Sequence, residues 1–338
     1  MMPNYATSIR RAALGASRLQ RDLGIQAGVI RGSGRVDVFD VINRLDVPLM
    51  FTKLKGLLGV YMREPSPGVL VTTERPQSQQ RFTAAHELGH HYLGHNPSLD
   101  DESILRRAPF QAAAGDDPQE VEAEAFAALF LMPQWLVDWH CERQGWTDAD
   151  LQNPVNVYQL ALRVGTTFKS AVWTLHRYDV FGRGRAKAMA DLELKKVKEK
   201  ILRGYKPENY QRDVWLVTDR DRDMRLEGGA GDLVVVRLPE HSGSGYLWRV
   251  ESLDGEVVAD GREEPDEESV GSHTMRWITA VSRERGTGEL KLAETQPWSP
   301  GVPINTFELS YNLAGPAPQG WYEPQRRQHR SLLLEAAA

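Results

Sequence analysis

Cysteine is nearly absent. Of 338 residues only Cys141 carries a thiol, which excludes an internal disulfide and fits a reducing compartment. Beside His140 it could be imagined as a nucleophile, but a free thiol in this setting reads as a small apolar group. Long apolar runs are missing too. No stretch approaches the roughly 18 residues of a membrane span, and the N-terminus has no apolar signal core. The expectation is a soluble, cytoplasmic protein without membrane partners. Nor is there a surplus of one charge: 46 acidic against 41 basic side chains leave a net −5, which argues against direct nucleic-acid binding. The local basic run 181–187 reads as a solvated linker. What remains is an ordinary globular composition, 41% apolar, long enough for two or three domains.

Chemistry concentrates in Arg81-Phe82-Thr83-Ala84-Ala85-His86-Glu87-Leu88-Gly89-His90. Phe82, Ala85, Gly89 and Tyr92 keep a three-and-four spacing, so a helix is predicted from about Ser78 to a stop at Gly94. On it His86 and His90 project about 40° apart, and two imidazoles so placed can share one zinc ion. Glu87 lies about 100° round, within reach of a water but not of the metal. Zinc lowers the pKa of a bound water to about 7, and a carboxylate can take its proton during attack on a carbonyl. A lone histidine on an apolar helix is ordinarily a structural group, whereas a pair at i and i+4 bracketing a glutamate reverses that reading. His91 points about 140° from His86 and reads as a surface or outer-sphere group. His95 lies past Gly94 and could be a loop ligand. However, the longer HExxHxxGxxH pattern is missing, with Leu93 and Asn96 at its glycine and last histidine.

A third ligand is expected from a second helix. Asp117-Pro118-Gln119-Glu120 reads as a start, with a cap, a proline at the first position and a glutamate reaching back. The helix runs to Met132 and stops at Pro133. Glu120, Glu122 and Glu124 precede an almost wholly apolar stretch. Glu122 shares a stripe with Phe126 and Leu129, and a carboxylate on a buried stripe needs a cation. The bland alternative is acidic groups complementing a helix dipole. Periodicity does not choose among the three.

FTAAHELGHHYLGH followed some thirty residues on by EAEAFAALFLMP resembles the ImmA/IrrE family of zinc metallopeptidases. Its motifs resemble RFTxAHELGH and then E-A-(Asn or Asp)-x-F-A-A-x-x-L-M-P. The resemblance covers roughly residues 8 to 185. It implies one zinc per chain, held by His86, His90 and Glu122, with Glu87 as general base. Glu124 stands where the family usually has Asn or Asp, a position that tends to orient a histidine, so Glu124 and His91 are the outer-sphere candidates.

The rest of that region reads as a small α+β lobe. Residues 8 to 46 have roughly helical spacing; 47–51, 57–62 and 69–72 read as three strands, whose edge could pair with a substrate chain. Residues 160 to 173 look like helix, glycine turn, helix. A DNA-reading pair would look so, but Phe168, Val172, Trp173 and Leu175 with only Lys169 and Arg177 as cations favour packing.

Beyond a charged helix and linker (186–211) the period becomes two. Strands are predicted at 215–217, 233–238, 246–250, 255–258, 275–281, 288–292 and 307–311, the pattern of an immunoglobulin-like sandwich or barrel. Three segments in order, Leu238 to Trp248, Val270 to Trp277 and Glu294 to Trp298, resemble chagasin-type cysteine-protease inhibitors over about residues 212 to 313. Their loops resemble NPTTGYxW, a glycine-rich segment before an Arg/Trp strand, and RPW. That resemblance singles out Ser242, Gly243, Ser244, Gly245, Trp277, Gln296, Pro297 and Trp298. The departures are the His-Ser-Gly-Ser-Gly loop and Gln296 in place of arginine. Residues 314–338 read as a polar, flexible tail.

The expected architecture is therefore α+β: a zincin-like lobe with a small sheet and a helical lobe (8–185), then an all-β sandwich (212–313). The expected function is zinc-dependent cleavage of a specific intracellular protein. The first resemblance implies a DNA-binding repressor in a stress or mobile-element response, and the second a recognition or regulatory domain that binds a protease. The alternative is a non-catalytic binding protein with a structural zinc; an open metal position and an intact Glu87 separate the two.

Overall fold

The computed structural model describes residues 5–101, 110, 116–263, 274–298 and 301–336. Contacts divide the chain into two compact units. One gathers residues up to His140 with Leu160–Ala190 and the segment from Pro316 onward; the other gathers Cys141–Gln159 with Asp191–Gly315. None of the helices among the described residues is long and apolar enough to cross a membrane.

The first unit opens with α1 (Tyr5–Asp22), α2 (Ile25–Arg31) and α3 (Val38–Arg44). Asp37 starts α3 by accepting from the amides of Phe39 and Asp40, the usual fate of orphan donors at a helix start. Strands β1 (Leu49–Thr52), β2 (Leu57–Met62) and β3 (Gly68–Thr72) follow, then α4 (Gln77–Leu93), β4 (Ser98–Asp101) and α5 (Pro118–Leu131). α4 ends at Gly94, whose φ of 70° is left-handed and cheap for glycine. α5 starts on Asp117, which accepts from the amide of Gln119, with Pro118 at the first position.

The sheet has five strands, in the order β13-β1-β3-β2-β4, two more than the periodicity predicts. β13 (Gly320–Trp321) pairs antiparallel with β1 and leads into α11 (Glu323–Ala336). The segment expected as a free polar tail is thus docked. Gln325 holds it: its Oε1 accepts from the amide of Leu49 at 2.8 Å and its Nε2 donates to the carbonyl of Val47 at 2.7 Å. One side-chain amide standing in for a strand leaves no periodic trace, which is why the docking was invisible in the sequence. α6 (Gln134–Gln144), α7 (Pro154–Val164), α8 (Phe168–Arg177) and α9 (Arg183–Ala190) complete the helices around this region. Gly165 turns at φ 73° between α7 and α8, Thr167 caps α8 by accepting from the amide of Ser170, and Phe168, Val172, Trp173 and Leu175 are buried. The apolar face of the second helix is thus used for packing.

The second unit holds α10 (Leu194–Leu202) and eight strands: β5 (Val214–Thr218), β6 (Arg225–Glu227), β7 (Leu233–Glu240), β8 (Leu247–Leu253), β9 (Glu256–Glu263), β10 (Thr274–Val281), β11 (Thr287–Thr295) and β12 (Asn305–Asn312). They form two four-stranded sheets, β5-β7-β10-β9 and β6-β12-β11-β8. Leu290 and Leu292, and Phe307, Leu309 and Tyr311, are buried at alternate positions, the period of a strand with one face in a core. All seven expected strands are present; the three-residue β6, too short to show a period, is additional. Residues 141–159 cluster with this unit rather than with the first. Tyr158 Oη donates to Asp213 at 2.8 Å, and Gln159 bonds the backbone of Val214 and Leu216 on β5 at 2.8 and 2.7 Å. By contacts, residues 141–159 are thus interleaved with the segment from Asp191 to Gly315.

Candidate metal centre

Gly89 determines how the site is built. A Cβ placed there would lie 3.2 Å from the Cα of Ala123 and 3.2 Å from the ring of Phe126. Lacking one, α4 lets α5 come close. Glu120 lies one turn before Ala123 on the same face, so close packing at Gly89 delivers its carboxylate to the histidines of α4. The Nε2 atoms of His86 and His90 are 3.0 Å apart. Glu120 Oε2 is 3.3 Å from His86 Nε2, and Oε1 is 3.5 Å from His90 Nε2. Among the described residues these three form the group able to hold a metal, with ligand atoms all within 4.8 Å of one another. A tetrahedral ion with bonds of about 2.0–2.1 Å separates neighbouring ligand atoms by about 3.4 Å. The observed spacings suit zinc, and a His, His, carboxylate donor set is one that zinc accepts. Three protein ligands leave a fourth position for solvent or substrate.

Glu122 is placed elsewhere, a correction to the ligand set that the resemblance implies. Two positions on a helix are about 200° apart, so Glu120 and Glu122 cannot both face the imidazole pair. Glu122 accepts from Ser8 Oγ at 3.1 Å and Arg11 at 2.6 Å, and its Oε2 lies 3.0 Å from His95 Nε2. His95, past the end of α4, puts its Nδ1 3.0 Å from His90 Nδ1. Burial lowers the pKa of His95, and Glu122 offsets that in part. The residue pattern left Glu120 open as one of three glutamates and gave no sign of Arg11 or of the contact between His95 and Glu122. The angular rule separating residues 120 and 122 was available, but which of the two faced α4 depended on Gly89.

Glu87 is fully buried. Its carboxylate lies on β2 at Gly59, where an added Cβ would be 2.1 Å from Oε1 and 2.5 Å from the methyl of Thr83. Glycine in a strand often marks such a close approach. One turn further on, His91 meets Tyr61 edge to face at 5.7 Å, with its Nδ1 3.4 Å from Tyr61 Oη. It joins helix to sheet instead of supporting the ligands. Burial lowers its pKa. Glu124 is buried and close enough to Tyr5 to add to the upward shift that burial imposes on that phenol.

At one end of the sandwich unit the first and last of the three predicted loop segments meet each other, and the first meets Thr274 of the middle one. His241 donates its amide to Glu294 Oε1 at 2.6 Å, and its Nδ1 is 3.0 Å from the same oxygen. Ser242 Oγ donates to Thr274 Oγ1 at 2.9 Å. Gln296 Nε2 donates to the carbonyl of Ser244 at 3.3 Å. Gly245, at φ 78°, lies under the indole of Trp298, whose Cη2 would be 2.3 Å from an added Cβ; Trp298 itself is 70% exposed. Ser242, Gly243 and Ser244 form a single 3-10 turn, and Pro297 is in the turn after β11. Trp277 differs from these: it lies within β10 and its indole covers Gly261 of the neighbouring strand. Residues Val270 to His273 of the middle segment lie outside the described residues.

Comparison with known proteins gives matches to parts of the chain. No curated protein matches the chain significantly. Solved structures similar to part of it include a cysteine protease inhibitor of Entamoeba histolytica, 23% identical over 31% of this chain and 99% of that one, with a TM-score of 0.29. The protein ICP from Leishmania mexicana is 20% identical over 32% of this chain and 95% of that one, with a TM-score of 0.21. Residues 42–176 match the family described as the IrrE N-terminal-like domain, a peptidase family, and residues 229–311 match the chagasin family of peptidase inhibitors, so the chain joins a metallopeptidase-type segment to an inhibitor-type segment.

Proposed function

We propose that the first unit is a zinc-dependent endopeptidase, with one zinc per chain held by His86, His90 and Glu120 and with Glu87 as general base. The observation that carries this is the convergence of both imidazole Nε2 atoms and the Glu120 carboxylate at ligand–ligand spacing, with the buried carboxylate of Glu87 on the residue next to His86. Bound there, zinc supplies Lewis-acid chemistry, polarising a peptide carbonyl and acidifying water. Glu87 accepts the proton of the attacking water as its oxygen bonds to the carbonyl carbon. The C–N bond then breaks, and Glu87 returns the proton to the departing amine nitrogen. Contact with Gly59 fixes where that carboxylate can stand. A purely structural zinc would close its shell with a fourth protein ligand and would need no base beside it, which favours the enzyme over a non-catalytic binding protein.

The substrate we propose is a specific intracellular protein, a DNA-binding repressor whose cleavage derepresses genes of a stress or mobile-element response. For the sandwich unit we propose recognition or regulation through binding of a papain-like cysteine protease at the loops around Trp298. The test is a comparison of new protein N-termini in wild-type and Glu87→Ala cells, with zinc measured on both purified proteins. The expected result is retained zinc with loss of one or a few cleavages. Identical N-termini in the two strains would sink the enzyme reading.

A further inference from the structure

We propose that Arg11, Glu122 and His95 form a positioning relay that sets the tautomer of His90 and makes the metal centre depend on the N-terminal helix. This rests on the metal-site reading above and deepens it. His90 turns Nε2 toward His86 and Glu120. For Nε2 to offer a lone pair, the proton of the neutral ring must sit on Nδ1. That Nδ1 lies 3.0 Å from His95 Nδ1, so His95 must accept there and carry its own proton on Nε2. His95 Nε2 is 3.0 Å from Glu122 Oε2, an acceptor. Each link then has one donor and one acceptor, and the reverse assignment would drive a His90 N–H into the ligand cluster.

The relay is anchored from α1. Arg11 Nη1 donates to Glu122 Oε2 at 2.6 Å, its Nη2 donates to the carbonyl of Leu93 at 2.6 Å, and Ser8 Oγ donates to Glu122 Oε1 at 3.1 Å. Arg11 therefore ties the relay carboxylate on α5 to the last turn of the metal-bearing helix. Its second contact also satisfies a carbonyl left open at a helix end. α1 packs tightly enough to make this stiff: a Cβ at Gly15 would lie 2.9 Å from the Leu93 side chain. Residues 8 and 11 precede residue 42, where the match to the peptidase family begins. The dependence on α1 is thus a property of this chain beyond the matched segment.

The experiment measures zinc affinity of the full chain by competition with a chromophoric chelator, for wild type, Arg11→Ala, His95→Leu and His95→Asn. His95→Leu should weaken zinc binding about 10–100-fold, the usual effect of removing an outer partner of a metal-bound histidine. His95→Asn should recover most of it, because its Oδ1 stands about where Nδ1 stood and accepts from His90. Arg11→Ala, at a side chain 53% exposed, should fold normally and weaken binding about tenfold; it carries the test should His95→Leu fail to fold. In parallel, ¹⁵N spectra of the zinc-loaded wild type should place the His90 proton on Nδ1 and the His95 proton on Nε2. Unchanged zinc affinity in Arg11→Ala and His95→Leu, or a proton on His95 Nδ1, overturns the relay while leaving the metal site intact. Failure of the wild type to bind zinc overturns both.

Discussion

Glu87 and Gly59 touch: the carboxylate of one lies where the side chain of the other would begin, 2.1 Å from an ideal Cβ. The strand therefore acts as a template for the proposed base. Gly59→Ala must displace either the carboxylate or the strand, and the carboxylate is the freer of the two. Cleavage of the natural substrate should fall about 100-fold or more, within the 10²–10⁴ that a positioned general base contributes. Zinc content should be unchanged, because the added methyl falls on Glu87 and Thr83, neither of which is a proposed ligand. Metal analysis beside a cleavage assay checks this, and equal cleavage by the two proteins would sink the template role.

A second glycine bears on the proposed ligands instead of the proposed base. Gly89→Val would put side-chain atoms into space already occupied by Ala123 and Phe126, both fully buried. Overpacking of this kind costs about 1–3 kcal/mol. Because the same contact brings Glu120 to the histidines, zinc affinity should fall together with stability. Denaturant unfolding with and without a chelator separates the two: the variant should be less stable in both conditions, and zinc should stabilise it less than wild type.

How much of this could be read in the sequence follows from which signals are local. The α4 boundaries, the Asp117-Pro118 start of α5 and seven of the eight sandwich strands rest on caps, breakers and periods within single segments, and each was legible. The choice between Glu120 and Glu122 was not, because it depends on the side of α5 that meets Gly89, a contact between distant segments. The docking of residues 320–325 rests on the two-residue β13 and the amide of Gln325, and the grouping of 141–159 with the second unit on Tyr158 and Gln159; neither makes a pattern. In the candidate site, the proposed roles of His86, Glu87 and His90 rest on a local signal, the placement of all three on little more than one turn of α4.

The sandwich unit carries its own pH dependence. Asp232 is buried beside Asp213, and burial first, then that neighbouring charge, raises its pKa to about 6. Hydrogen bonds from the amides of Gly229 and Asp213 oppose the shift. A raised pKa means that the folded state holds its proton more tightly than the unfolded chain, whose aspartates titrate near 3.9. This contribution is fully present below about pH 4 and is lost as pH rises through about 6, with an upper bound of about 3 kcal/mol. Asp213→Asn removes the neighbouring charge, so its stability relative to wild type should improve from pH 4 to pH 7. Urea midpoints across that range provide the check; parallel curves for the two proteins would dismiss the coupling.

Trp298 and Gly245 offer a test of the other proposed partner. The indole is mostly exposed, yet it lies against a glycine whose φ of 78° few other residues adopt. An exposed aromatic held in one place loses little entropy on docking, which is why such groups dominate interfaces. Trp298→Ala should leave the melting temperature unchanged, since little is buried behind it. It should weaken binding to papain, used as the probe protease, by about 2 kcal/mol or roughly 30-fold. Gly245→Ala reaches the same result by another route, pushing the ring away while leaving it in the chain. Surface plasmon resonance on the three proteins decides the matter: tight papain binding by wild type with loss in both variants supports a protease-docking edge, and papain binding that neither substitution alters places any docking elsewhere on the sandwich.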